Sequence, residues 1–281
     1  MIGMEWEGYR LIDFASITGG DDPIDDEHPA LEVLGAVGIT GLGTPPRNTV
    51  LTPSAQGGDV PGPSLSRAAT IRIDQMRSTD RATVLGFLAT MAELAPDDER
   101  PLVLHNLLWG TDPVQVWARP ETCDPALDAL SLGIGDWRLR GTTWTAADPT
   151  VYSAAATTVN ASTPATTQTL NFTNAGTKAS RNGRAWTASI TAAGGSVTGP
   201  YIALGDQRVT WVGLTLTDGQ TLTIDADRHS WVGSTPVDGY RYSGDSPDPD
   251  WPIHEPGANA FTVGRASGAN LTATLAAYST W

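Results

Sequence analysis

The chain has 281 residues, of which 17 are Lys or Arg and 31 Asp or Glu, giving a formal net charge of −14 with 30 Gly and 20 Pro. That length favours two domains over one, and that charge argues against a nucleic-acid backbone or an anionic lipid surface as a partner. A single cysteine, Cys123, excludes an intramolecular disulfide and cannot make a zinc site on its own.

The first ten residues, MIGMEWEGYR, bring acids at once and no apolar core region follows. They are read as no signal peptide, and the protein is expected to be soluble and made in a cytoplasm. No apolar run approaches the ~20 residues of a membrane helix. A short aromatic strand is expected around Trp6, Tyr9 and Leu11. Asp21 to His28, DDPIDDEH, matches no calcium-loop spacing and reads as a solvated loop. Leu31–Ile39 is apolar but interrupted by Gly35 and Gly38. Gly41–Pro63 is rich in Gly, Pro, Thr and Ser with little periodicity, and so long a connection is usually functional or disordered.

Ala69–Met76 alternates as a strand, with Ile71 and Ile73 on one face and Arg72 and Asp74 on the other. Asp80–Ala95 carries Val84, Phe87, Leu88, Met91, Leu94 and Ala95 at helical spacing. Ser78 or Asp80 is placed to cap its start and Pro96 to end it. Leu102–Leu108 and Val114–Arg119 read as a hairpin around Trp109–Pro113. Asp136–Ala147 adds a strand with Trp137, Leu139 and Trp144 as its large packing residues. Strands, one helix and further strands predict an α+β first domain over 1–150.

Residues 150–169 are nearly all Ala, Thr, Ser, Val, Asn and Pro, and read as a linker or an exposed first strand. Short strands are expected at Gln168–Phe172, Ala185–Ala192, Tyr201–Leu204, Ala260–Arg265 and Leu271–Tyr278, with a loop over Ser243–Gly257. Regular short strands with turn signals and no helix predict a β-sandwich over 151–281. Its centre is Val209–Val232. Apolar residues there alternate at Val212, Leu214 and Leu216 and again at Leu222 and Ile224, on either side of Asp218-Gly219. A three-residue loop, Thr217-Asp218-Gly219 with Gly219 left-handed, would pair Leu214 with Leu222 and Val212 with Ile224 on one buried face.

Residues that carry chemistry are sparse. His28, His105, His229 and His254 are scattered, and no nucleophile elbow, Walker loop or dinucleotide-binding glycine motif is present. Asp225 and Asp227 with His229 are better read as a solvated strand end than as metal ligands. Nothing fixes a separation between Asp225 and Glu255 that a glycosidase pair would need. The chain is expected to be no enzyme, with no cofactor and no metal. Its ten tryptophans are individually core residues and collectively a contribution to an interface.

These pieces fall in a familiar order. Asn182-Gly183, Gly199-Pro200-Tyr201-Ile202, Leu216-x-Asp218-Gly219-Gln220-x-Leu222-x-Ile224-Asp225 and Pro252-x-x-x-Pro256-Gly257-x-Asn259 resemble the second domain of siphophage distal tail proteins and related minor tail proteins. In the first half, strand Ile71–Met76, helix Asp80–Ala95, Pro101-Leu102, Val116-x-Ala118-Arg119-Pro120, Trp137 and Ala147-Asp148-Pro149-x-x-Tyr152 are similar to the ring-forming domain of the same family. Residues 15–60 carry no clear anchor.

The resemblance implies a mainly β protein: a tail-tube-like β-sandwich or split barrel with one flanking helix, then a galectin-like β-sandwich. It implies a virion part at the tail tip, assembled in the host cytoplasm. Six copies would form a ring joining the tail tube to the hub or baseplate, and DNA would pass through without specific binding. Pro45, Pro46, Arg47, Arg119, Trp137 and Trp144 are the interface candidates. The His, Asn, Arg, Trp and Glu cluster of sugar-binding galectins has no counterpart here, so the resemblance carries no sugar binding with it. The alternative from another class is a module for host-wall glycans, with Trp231, Tyr240 and Trp251 as the ligand-facing aromatics.

Overall fold

The computed structural model describes residues 3–12, 29–34, 37–42, 48–53, 59–65, 68–94, 98–105, 112–124, 137–180, 185–225, 229–237, 240–242 and 251–281. Within them the chain divides into two compact units, Met1–Ala154 and Ala155–Trp281. It is mainly β, with one helix among the described residues. Among the described residues no helix is long and apolar enough to cross a membrane.

The first unit opens with a hairpin where a single strand was expected. β1 (Gly3–Trp6) and β2 (Tyr9–Ile12) pair antiparallel around Glu7 (φ 48) and Gly8 (φ 76). Two successive left-handed residues are what a tight two-residue hairpin turn demands. β3 (Ala30–Val33) lies parallel to β2, and β4 (Val37–Thr40) pairs with the later strand Ala69–Ser78. The connection over Gly41–Pro63 is not structureless. β5 (Asn48–Pro53) and β6 (Asp59–Leu65) form a two-stranded antiparallel ribbon that, among the described residues, joins no other sheet.

β7 (Ala69–Ser78) shows the expected alternation, with Ile71, Ile73 and Met76 fully buried. Helix α1 (Arg81–Glu93) starts on Asp80, whose carboxylate accepts from the N–H groups of Ala82 and Thr83 at 3.0 and 3.1 Å. Two of the otherwise unpaired first-turn donors are thereby satisfied. Val84 and Phe87 are the helix residues that are buried. β8 (Arg100–His105) and β9 (Val114–Asp124) pair antiparallel as the expected hairpin. β10 (Trp137–Ala146) pairs with both β7 and β9, and β11 (Tyr152–Ser153) adds to β9.

The order β10-β7-β3-β2-β1-β8-β9 therefore closes on itself through β10 and β9, making a seven-stranded barrel. Its core is aromatic. Phe87 lies 5.5 Å from Trp6 and 6.5 Å from Trp144, and Trp6 lies 6.2 Å from Trp144, all edge-on.

The second unit is a β-sandwich built from long bent strands. β12 (Thr157–Ala165) and β13 (Thr167–Asn174) come first, so residues 150–169 are largely an exposed strand rather than a linker. β14 (Trp186–Leu204) and β21 (Gly257–Ala277) each merge two of the short strands expected from sequence. Between them in the chain lie β15 (Gln207–Trp211), β16 (Thr215–Leu216), β17 (Thr221–Ile224), β18 (Ser230–Val232), β19 (Thr235–Pro236) and β20 (Tyr240–Tyr242).

The registers define two layers. One holds β12, the second half of β21, the first half of β14, β17, β18 and β19. The other holds β13, the first half of β21, the second half of β14, β15 and β20. Trp186 of the first layer meets Phe261 of the second edge-on at 5.8 Å, which fixes the two as facing sheets. The strands cross from one layer to the other at a shared corner, as bulged strands do in orthogonal packings. Gly194 (φ 75) and Gly195 (φ 141) make the bend in β14, and Gly268 (φ 107) makes it in β21.

The corner also corrects the expected register of the central stretch. Leu214 does not face Leu222, nor Val212 Ile224. β15, β16 and β17 run in turn down the same edge of β14 as the return leg of one long hairpin, whose turn is Gly205-Asp206. Leu222 pairs with Ile190 and Ile224 with Ala188, while Val212 is 52% exposed. Asp218-Gly219 does turn the chain, with Gly219 at φ 76 and Gln220 N–H donating to Thr217. Yet its role is to carry the return leg round the corner. Asp218 Oδ1 accepts from Gly194 and Gly195 N–H at 2.7 and 3.3 Å, so one carboxylate satisfies two backbone donors that the bend takes out of the ladder.

Candidate functional site

The interface candidates of the first unit separate sharply by exposure. Pro45, Pro46 and Arg47 lie outside the described residues. Arg119 stands on β9 opposite Thr145, its side chain 37% exposed, with Nε donating to Glu121 at 2.9 Å. Trp137 opens β10 half-buried, and the Arg81 guanidinium sits 5.2 Å over its ring. A cation held on an indole face at the start of α1 leaves a flat amphipathic patch, the composition that contact surfaces favour. Trp144 is not part of it. Its ring is fully buried between Trp6 and Phe87, and it belongs to the barrel core instead.

The three aromatics expected to face a ligand also part company. Trp251 is 2% exposed, stacked on Trp186 at 5.4 Å with planes 10° apart, and edge-on to Trp211 at 6.5 Å. It closes the sandwich core, because Trp186 Nε1 donates to the carbonyl of the next residue, Pro252, at 2.8 Å and pins that segment inward. Tyr240 pairs with Trp211 through the backbone of β20, and its side chain lies outside the described residues. Trp231, half-buried on β18, pairs with exposed Thr223, so it points away from the core. His229 packs against it at 5.7 Å.

Among the described residues the acids and histidines form no group of metal-ligand size. Asp225 Oδ1 accepts from His229 N–H at 2.8 Å, and its other oxygen lies 3.4 Å from the ring nitrogen Nδ1. This caps the β17–β18 turn. Asp227 lies outside the described residues. Glu255 is held by backbone exchange with Asn259, whose side chain both donates to and accepts from it. Among the described residues no group of three or more His, Cys, Asp or Glu is placed to hold a metal.

His254 is the exception in environment, and sequence gave no signal for it. It is fully buried, edge-on to Phe172 at 5.1 Å. Burial pushes its pKa down to about 4, against a smaller opposing pull from the carbonyls of Ala185 and Tyr278. A neutral buried imidazole next to an aromatic ring is a packing element that registers acid, not a proton shuttle.

A depression of about 450 Å³ lies on the outer face of the sandwich's first layer. It lies beside β12 where Ser162–Pro164 bow out opposite the single residue Thr272. Gln168 Nε2 holds that bow, donating to Thr163 and Leu271 carbonyls at 2.6 and 2.9 Å. Its polar lining is Asn160, Ser162, Ser189, Thr191, Thr272 and Thr274.

No protein-family model matches the chain, and no curated protein matches it. Among solved structures it is similar to the crystal structure of the SPP1 Dit (gp 19.1) protein, described as a paradigm of the hub adsorption apparatus in phages infecting Gram-positive bacteria. The likeness has 13% sequence identity and a TM-score of 0.46, and covers 87% of this chain and 92% of that one. At that identity and score it carries no argument about function.

Proposed function

We propose that the chain is a structural protein of a siphophage tail tip, a distal tail or minor tail protein, of which six copies ring the end of the tail tube and join it to the hub or baseplate. The observation that carries this reading is where the family-like residues sit. Gly199-Pro200-Tyr201-Ile202 leads β14 out of the corner. Asp218-Gly219-Gln220 carries the return leg round it, and Pro252 to Asn259 locks the entry to β21. They hold an architecture in place, as a building block requires.

Two further features support it. Among the described residues the β5–β6 ribbon pairs with no other strand of its unit, and its outer backbone edges suit a neighbouring copy or tail protein. The first unit also holds twenty-two of the 31 acidic residues against ten of the 17 basic ones. It thus carries most of the net charge. Repeated around a ring, that charge gives a lumen that repels DNA in transit rather than holding it. In a closed ring each contact joins two different patches, and the Arg119 and Trp137–Arg81 surfaces are the patches proposed.

Solution mass across a concentration series tests the reading, with the chain alone and with its tube and hub partners. The expected result is six times 29.5 kDa, seen as a ring in negative stain. A monomer both alone and with those partners overturns it. Retention of DNA by the ring at physiological salt overturns the lumen.

A further inference from the structure

We propose that the outer face of the sandwich's first layer is a binding site for a neutral saccharide, with the depression beside β12 as one subsite and Trp231 as the other. The inference goes beyond the tail-tip reading and stands on separate observations.

The registers place a single outward row across five strands: Asn160, Thr274, Ser189, Thr223 and Trp231. Leu275, Ile190, Leu222 and Ile224, their neighbours along the strands, are fully buried on the opposite face. The bowed segment Ser162–Pro164 walls one end of the row, and the indole of Trp231 stands at the other. Ser189 and Trp231 are two strands apart, about 10 Å, so one extended ligand reaches both.

The chemistry of the lining selects the ligand class. The depression offers five hydroxyls and one amide, groups that each donate and accept, and no charged side chain. An anionic ligand finds no cation there to pair with. An apolar peptide finds only the methyl groups of Ala161 and Ala273 among these hydroxyls. A polyhydroxylated, uncharged molecule matches, because its own hydroxyls exchange donor and acceptor roles with those of Ser and Thr. Thr274 Oγ1 already donates to Asn160 Oδ1 at 2.8 Å and Thr191 shares a hydrogen with Thr221 at 2.8 Å. These bonds orient the lining before a ligand arrives. At the far end Trp231 presents the flat surface on which the C–H face of a sugar ring packs.

The test is an array of neutral di- to tetrasaccharides of hexoses and N-acetylhexosamines, probed with the full chain. The wild type is expected to be retained on at least one of them. Trp231→Ala, and separately the near-isosteric pair Ser189→Ala with Thr272→Val, should each weaken that retention about tenfold or more at unchanged melting temperature. The double variant guards against mistaking misfolding for loss of the site. No retention on any neutral glycan, or retention that survives both variants, overturns the proposal. So does loss of ring mass in these variants, which would assign the face to a protein partner. A chain that rings in solution but holds no glycan sinks this inference and leaves the tail-tip reading standing.

Discussion

His254 shows how a single residue ties the sandwich to pH. Its pKa is lowered to about 4 inside the fold, chiefly by burial, from an ordinary value of 6.5. As pH falls below 6.5 the unfolded chain takes up this proton and the folded chain does not, so stability drops. The loss runs from about pH 6.5 to pH 4 and totals roughly 3 kcal/mol, since each unit is worth about 1.4 kcal/mol. Urea midpoints measured between pH 7.5 and 4.5 should fall more steeply for the wild type than for His254→Gln, which takes up no proton. Parallel slopes would remove His254 as the cause. None of this was legible beforehand, because a histidine between Ile253 and Glu255 looks solvated. The carbonyl of Pro252 bound to Trp186, the two hydrogen bonds between the His254 backbone and Ser180, and the edge of Phe172 draw it inside. Trp251 was misplaced for the same reason: its acidic, proline-rich surroundings concealed its partner Trp186, far away in the chain.

At the scale of elements, the corner of the sandwich is the feature that sequence patterns conceal. Gly194-Gly195 and Gly268 read as strand breakers, and so β14 and β21 were each divided in two. In the fold these glycines are bends inside strands that continue, and the ladder resumes beyond them with a shifted register. A local pattern cannot separate the two cases, because the evidence for continuity lies on the neighbouring strand. The helix, by contrast, was legible in place and start, since its cap and spacing are local, although only Val84 and Phe87 of the expected stripe are buried. The corner makes a graded prediction. A Cβ at Gly268 would meet the Ser196 carbonyl oxygen at 2.1 Å, whereas at Gly194 it would meet nothing within 4 Å. Gly194→Ala is therefore expected to cost about 1–2 kcal/mol, from its positive φ alone. Gly268→Ala adds a backbone clash and should cost more than 3 kcal/mol or prevent folding. Chemical denaturation of the two variants decides it, and equal costs would mean that the strands shift freely at the bend.

For the molecule as a whole, the order of a strand-rich unit with one helix followed by a β-sandwich was readable from where strands and helix fall, whereas closure of the first sheet into a barrel depends on the long-range pairing of β10 with β9. Which tryptophans serve the core and which the surface was not, because Trp137 and Trp144 share one strand and differ only in what lies across the barrel. They now separate core from assembly. Trp144→Ala should cost about 3–5 kcal/mol of stability. Trp137→Ala should cost about 1 kcal/mol while lowering ring mass, and thermal melting with mass photometry reads both. A Trp137→Ala chain that assembles normally would clear that patch of a role in the ring. The sandwich also begins and finishes at one place, since Thr157 near its start pairs with Ala277 near its end. A unit whose entry and exit are neighbours on adjoining strands is a cassette. It can be spliced into a surface turn of another chain, or replaced by another lobe with the same two-strand stem, without the host fold having to stretch.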